Sequence, residues 1–258
     1  MPKGLEPLRH SGFRLLTIGQ LASNLGDACY AVALPWYVLA QHGGPLLLGT
    51  VLVAYGVPRT ALLMVGGSAS DRWRPWTVMM ASDVVRALAV ATLAVAAGLG
   101  PANVAVLGPV AVVLGAGEGL FLPGSSAIVP ALLPDDDLQA GNAISYGGTE
   151  LATLVGPAVG GAVVALVGPA PAFWVDAVTF AVSAGTLAGI RSARAAVPQH
   201  TEPADRPKML SLLREPVLLL VLLVTLAANL GAAGATQVAL PALAHGPLRT
   251  SAAGFGGL

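Results

Sequence analysis

Residues Trp76–Gly98 read WTVMMASDVVRALAVATLAVAAG, 23 residues in which Asp83 and Arg86 are the only charges. At 1.5 Å per residue, about 20 apolar helical residues cross the ~30 Å hydrocarbon core of a bilayer. A lipid-facing barrel strand would instead alternate with period two over roughly ten residues. This run is longer, rich in Ala, Val and Leu, and does not alternate, so it reads as a membrane-spanning helix. Six further stretches have the same character: Phe13–Ala40, Leu46–Ala69, Asn103–Leu122, Leu138–Val167, Pro171–Ile190 and Val217–Leu243.

Composition agrees with seven spans. Of 258 residues 55% are hydrophobic and 10% charged, where a soluble domain carries about 25% charged residues. The chain lacks the polar surface to cover a water-soluble fold, which excludes a secreted domain, a nucleic-acid binder and an ordinary cytosolic enzyme. The first apolar run is too long for a signal peptide and no A-x-A site closes it. The single cysteine, Cys29, lies inside that run and reads as a packing residue, with no partner for an internal disulfide.

Orientation follows from the 13 Lys and Arg. Lys3, Arg9 and Arg14 precede or open the first span, Arg72 and Arg74 lie between spans two and three, and Arg191, Arg194, Arg206, Lys208 and Arg214 lie between six and seven. Arg249 alone falls in the opposite set of links. The positive-inside rule then places the N-terminus in the cytoplasm. The inside link Pro130–Asp137 holds three acids and no base, and acids count little in that rule.

Three domains are expected: a six-helix bundle over residues 1–190, a cytoplasmic linker over 191–216, and the opening of a second bundle over 217–258. The linker is the one extended polar region, with Pro198, Pro203 and Pro207 spaced through it. Ser251–Leu258 begins an apolar segment and stops, so the chain reads as the N-terminal portion of a longer protein. An internal repeat supports this division. Asn24-Leu25-Gly26 with Val32-Ala33-Leu34-Pro35 in span one is echoed by Asn229-Leu230-Gly231 with Val238-Ala239-Leu240-Pro241 in span seven, as two parallel six-helix halves would give.

Seven ionisable residues fall inside spans: Asp27, Arg59, Asp83, Arg86, Glu118, Glu150 and Asp176. Each costs about 2.5–3.5 kcal/mol at mid-membrane on insertion scales, so each must pair, protonate or face water. Asp83 and Arg86 are three apart and can pair on one helix face. Asp176 lies a few residues inside the outer boundary, where its carboxylate is expected to reach water in a structural role. Asp27 is about 14 residues into its span, roughly 21 Å along, near the midplane. With Thr17, Gln20 and Asn24 it forms a polar stripe that either lines a cavity or bonds to another helix. Glu118 and Glu150 are further cavity or coupling candidates, and Arg59, after Pro58, is a candidate counter-charge. In span five, Ala152, Gly156 and Gly160 repeat every four residues, which lets a neighbouring backbone approach, and Pro157 adds a kink. Asn142, Ser145, Thr149 and Thr153 form a separate polar stripe on that helix.

These motifs resemble those of the major facilitator superfamily. Gly67-Ser68-Ala69-Ser70-Asp71-Arg72 is similar to its G-x-x-x-D-R/K motif, followed here by Arg74 where the family has a basic cluster. Gly156-Pro157-Ala158-Val159-Gly160-Gly161 is similar to the G-P-x-x-G-G end of the drug–proton antiporter motif. Phe121-Leu122-Pro123, Pro130-Ala131-Leu132-Leu133-Pro134, Asn142-Ala143 and Ala172-Phe173-Trp174-Val175-Asp176-Ala177 resemble the macrolide-efflux and enterobactin-exporter branch. The resemblance implies an all-α polytopic membrane protein, the six-helix N-terminal half of a major facilitator fold plus a seventh span and the start of an eighth. It implies a secondary active transporter in the cell membrane that exports small amphipathic molecules such as drugs or siderophores. Protons would be the coupling ion, and Gly67, Asp71, Arg72 and Arg74 would form a gate.

Import by the same architecture and a non-transporting remnant stay open. An enzyme is not expected: His10, His42, His200 and His245 lie in ends or links, and no H-E-x-x-H, P-loop or G-x-S-x-G is present. No metal, cofactor or nucleic-acid partner is implied, and the bilayer and a small-molecule substrate are the expected partners. The charge distribution predicts that a cysteine placed near His200 is labelled only from the cytoplasm and one near His42 only from outside. Labelling of both from one side contradicts the span assignment.

Overall fold

The computed structural model describes residues 4–40, 44–72, 74–100 and 103–190, with 216–217, 219–220, 223–224, 227, 238–245, 248, 251 and 253–254, and for 64–72 the backbone alone. Six long helices follow one another: α1 Ser11–Ala40, α2 Gly44–Arg72, α3 Pro75–Leu99, α4 Val104–Ile128, α5 Asp135–Val167 and α6 Pro169–Gly189. A short helix, α7, covers Leu240–His245, and single 3-10 turns occupy Glu6–Arg9 and Val129–Ala131. No strand occurs among the described residues. Segments of α2 through α6 are long and apolar enough to cross a membrane. The 30 residues of α1 have the length as well, with Thr17, Gln20, Ser23, Asn24 and Asp27 diluting its hydropathy.

Three helix ends differ from the sequence expectation. Pro123 does not stop α4, which runs to Ile128. Asp135, Asp136 and Asp137 belong to the first turn of α5 rather than to a link. Free backbone N–H groups and the helix dipole favour negative charge there, which accounts for an acid-only stretch between spans. His10 Nε2 lies 3.1 Å from Asp137 Oδ2, fastening the N-terminal segment to that helix start. The G-x-x-x-D-R stretch is likewise not a link. Residues Gly67–Arg72 continue α2 to its end, and Pro75 at the first position opens α3 almost at once.

The helices pack in the spatial order α5, α1, α6, α3, α4, α2. Exchanging the first three helices with the last three maps this set of contacts onto itself. The α1–α5 contact becomes α4–α2, α1–α6 becomes α4–α3, and α3–α6 is unchanged. Because successive spans alternate in direction, the two triplets are inverted repeats of one another. Close approach at the matching contacts rests on small residues. Gly156 lies against the Ala28 Cβ, and a Cβ on Gly160 would stand 2.9 Å from the Ala28 carbonyl oxygen and 3.0 Å from Cys29 Cα. On the symmetric contact, Gly115 and Gly119 of α4 meet the backbone of α2 at Tyr55 and Arg59. Ala152, Gly156, Gly160 and Gly161 are all buried.

Two apolar clusters fill the bundle. One gathers Tyr37, Val90, Leu93, Leu107, Leu114, Phe173 and Phe180, and the other Phe13, Leu16, Met79, Phe121, Ile128 and Leu187. Arg86 joins them: its guanidinium carbon stands 4.7 Å from the Phe121 ring centre and 4.3 Å from that of Phe180. At the far end of α1, α7 packs against it and the His245 ring meets Trp36 edge-on at 5.4 Å. The second copy of Val-Ala-Leu-Pro thus ends beside the first. Asn229, Leu230, Gly231 and the linker 191–215 lie outside the described residues.

Overpacking a close contact typically costs about 1–3 kcal/mol. Gly160→Leu should therefore lower the thermal midpoint of the detergent-solubilised protein by several degrees. Gly147→Leu, on the same helix with open space at its Cβ, should leave it nearly unchanged. Equal midpoints for the two variants would refute the proposed α1–α5 contact.

Candidate functional site

The polar stripe of α1 divides between two environments. Thr17 Oγ1 donates back to the Phe13 carbonyl at 2.9 Å, satisfying a buried hydroxyl within the helix. Thr17, Gln20 and Asn24 face Ser145 and Thr149 of α5 across a narrow notch of about 10 Å³, bordered by Leu21, Ile144 and Gly148. Asn24 Nδ2 donates to Thr149 Oγ1 at 3.2 Å. Along α5, Thr149 Oγ1 donates to the Ser145 carbonyl at 3.2 Å and Thr153 Oγ1 to the Thr149 carbonyl at 3.0 Å. The two stripes read separately in the sequence are therefore two sides of one helix contact.

Asp27 leaves that contact. It is exposed and makes no ion pair among the described residues. The charges that reach it are Arg86 and Asp83 of α3 and Arg59 of α2, and its own charge reaches Glu118 of α4. The second part of the site lies between α2 and α4. There, Arg59 Nε lies 3.0 Å from Glu118 Oε2, and the Tyr55 hydroxyl donates a short hydrogen bond to the same oxygen. Tyr55 and Arg59 are one helical turn apart and so share a face. The Arg59 and Glu118 side chains are 38% and 23% exposed, which sets this pair at an open surface. The Asp83–Arg86 pair, at 2.6 Å with side chains 0% and 4% exposed, belongs to the core.

The remaining sequence candidates are dispersed. Glu150 is exposed on α5 and forms no ion pair among the described residues. The side chains of Gly67, Asp71 and Arg72 lie outside the described residues, while Arg74 is exposed as the residue preceding α3. Asp176 differs from expectation: it is 1% exposed and does not reach water, because α1 passes directly over it at Gly26. Tyr55 was missed in the sequence, although a hydroxyl four residues before Arg59 in an apolar helix is a legible signal. Gly115 and Gly119, spaced as Gly156 and Gly160 are, were missed as well.

An exposed, unpaired carboxylate within electrostatic reach of a half-open acid–base pair can hold a cation or exchange a proton with water. No cluster of His, Cys, Asp or Glu suited to a metal ion occurs among the described residues. Residues 16–257 match the family model described as Major Facilitator Superfamily. The chain is 31% identical over 194 residues to "Multidrug efflux pump Tap" of Mycobacterium tuberculosis (strain ATCC 25618 / H37Rv), covering 72% of this chain and 46% of that protein. It is 30% identical over 196 residues to the protein of the same name from Mycolicibacterium fortuitum, covering 72% and 47%. It is 27% identical over 177 residues to "Uncharacterized MFS-type transporter YfiS" of Bacillus subtilis (strain 168), covering 68% and 41%. The chain spans a little under half the length of the curated relatives it matches.

The Arg59–Glu118 pair should be coupled energetically by about 1 kcal/mol, as neighbours in one network are. A double-mutant cycle of Arg59→Met and Glu118→Gln in denaturation of the detergent-solubilised protein measures this. Strict additivity would show that the two side chains do not interact.

Proposed function

Because the chain belongs to the major facilitator superfamily, we propose that it forms part of a secondary active transporter that exports small amphipathic molecules by alternating access, coupled to protons. The observation that carries this reading is Asp27, an exposed acid halfway along α1 with no ion pair among the described residues, within electrostatic reach of Arg59 and Glu118. A carboxylate at that depth is unfavourable against lipid, so a hydrated path is the environment that suits it. The relatives described as multidrug efflux pumps favour export over import.

In the proposed cycle Asp27 is the coupling group. Its charge state depends on which side its cavity is open to, and a ligand can shift an equilibrium only by binding the two conformations differently. A proton or a cationic substrate at Asp27 meets that requirement, because each neutralises the same carboxylate. Glu118 is held by Arg59 and Tyr55 and acts as the second acidic station, released when a substrate cation competes with Arg59. Gln20 and Asn24 border the path, and Glu150 flanks it on α5. The end of α2 and the start of α3, carrying Gly67, Asp71, Arg72 and Arg74, form the gate at the cytoplasmic face, and paired charges there supply two discrete states. Residues 1–190 form one bundle, 191–216 its cytoplasmic linker, and 217–258 the opening of the second bundle.

Asn keeps the shape of Asp but cannot titrate. In the complete protein, Asp27→Asn should abolish uphill efflux from energised vesicles while leaving downhill exchange in de-energised vesicles within about threefold of the wild type, a loss confined to the coupled step. Uphill efflux at the wild-type rate would return Asp27 to a structural role and move the coupling role to Glu118 or Glu150.

A further inference from the structure

Asp83, Arg86 and Asp176 lie in the core of the bundle with relative exposures of 0%, 3% and 1%. Together they offer two acids and one base. Arg86 is committed to Asp83: its Nη2 donates to Asp83 Oδ1 at 2.6 Å, and its guanidinium is held between the rings of Phe121 and Phe180. Asp176 forms no ion pair among the described residues, and its Oδ1 has no hydrogen-bond partner. It sits in the second turn of α6, which begins at Pro169, beyond the first turn where the helix dipole favours an anion.

Among the described residues, the groups around Asp176 offer no cation besides Arg86. From α1 they are Asp27, Tyr30 and Cys29, from α3 Arg86, already paired with Asp83, and from its own helix Thr179. Removing one partner from a buried charge cluster is strongly destabilising because it leaves an uncompensated charge. An ionised Asp176 would create that situation in the resting fold. A neutral one balances the cluster, with Asp83 and Arg86 cancelling.

We propose that Asp176 is a proton-binding site, occupied in this conformation, whose proton is released only when the seam between α1 and α6 opens. The geometry of that seam links occupancy to helix position. A Cβ on Gly26 would stand 2.6 Å from Asp176 Oδ1, so the carboxyl lies directly against α1 at the residue before Asp27. An anion there would feel the charge of Asp27, with Thr179 beside it and Arg86 already paired, so water entering the seam would be the main addition to its solvation. The inference rests on burial and charge balance and does not require Asp27 to be the coupling group.

Infrared spectroscopy of the complete protein reconstituted in lipid tests this, because a protonated carboxyl has a C=O stretch distinct from that of a carboxylate and shifted by deuteration. At neutral pH the wild type should show such a band, Asp27→Asn should retain the component assigned to Asp176, and Asp176→Asn should lose it. A spectrum unchanged by Asp176→Asn, or a wild type without a protonated-carboxyl band, overturns the proposal. Asn reproduces the shape and neutrality of the protonated acid, so Asp176→Asn should unfold within about 3 °C of the wild type, the scale of a small stability change in a chain of this size. A much larger fall, or failure to assemble, would show that the native group is ionised and would equally overturn the proposal. Because Asp27→Asn is measured in parallel, failure of this inference is distinguishable from failure of the coupling reading.

Discussion

A charge carried into a low-dielectric slab must find a counter-charge, a proton or water, and the placement of the ionisable groups in this bundle follows from that. Asp83 takes a counter-charge in the core, where Arg86 is also sheathed by two aromatic faces. Glu118 takes one at an open surface, from Arg59 of the neighbouring helix. Asp27 and Glu150 are exposed. The three acids at the start of α5 lie where the helix end itself supplies positive potential.

The same constraint assigns rigid and mobile parts. Arg86 touches an aromatic from each apolar cluster, so displacing α3 from α4 or α6 would strip a buried cation of its ring contacts and threaten its ion pair, and such contacts are most valuable when desolvated. The α3, α4 and α6 contacts therefore move together. α2 and α5 are the opposite case. They end the packing order on either side, and 11% of the α2 membrane segment and 28% of that of α5 are buried, against 44% for α3 and α4. The bundle is closely packed where it carries a buried charge and open-faced where α2 presents Arg59 and α5 presents Thr149.

Much of this fold was legible in the sequence because membrane helices announce themselves by length and composition. The spans from Phe13 to Ile190 correspond to α1–α6, and the errors sit at ends where a helix continued through Pro123, Gly67–Arg72 or Asp135–Asp137. Hydropathy cannot see those ends, since backbone hydrogen bonding continues past the last apolar residue into the headgroup region. The small-residue stripe of α5 was readable because glycine spacing reports backbone approach directly. Its partner was not, because Ala28 looks like any other alanine. The burial of Asp176 was illegible for a similar reason. Depth along the chain places a residue relative to the bilayer, but only the path of α1 across α6 decides whether water arrives.

The site shows how far a one-dimensional polar pattern reaches. Thr17, Gln20, Asn24 and Asp27 lie within about 80° of one another in projection at 100° per residue, but they stand at different heights along the helix. Asn24 is held at the α5 contact, while Asp27, about one turn further along, is exposed and within electrostatic reach of Arg59 and Glu118. A helix–helix hydrogen bond and an exposed acid thus follow one another along a single polar face. The consequence is mechanical as well as electrostatic. Asn24 is bonded to Thr149 on α5, while Gly26 touches Asp176 on α6. Any rotation of α1 that changes the surroundings of Asp27 must therefore alter a hydrogen bond on one side and the environment of a buried carboxyl on the other.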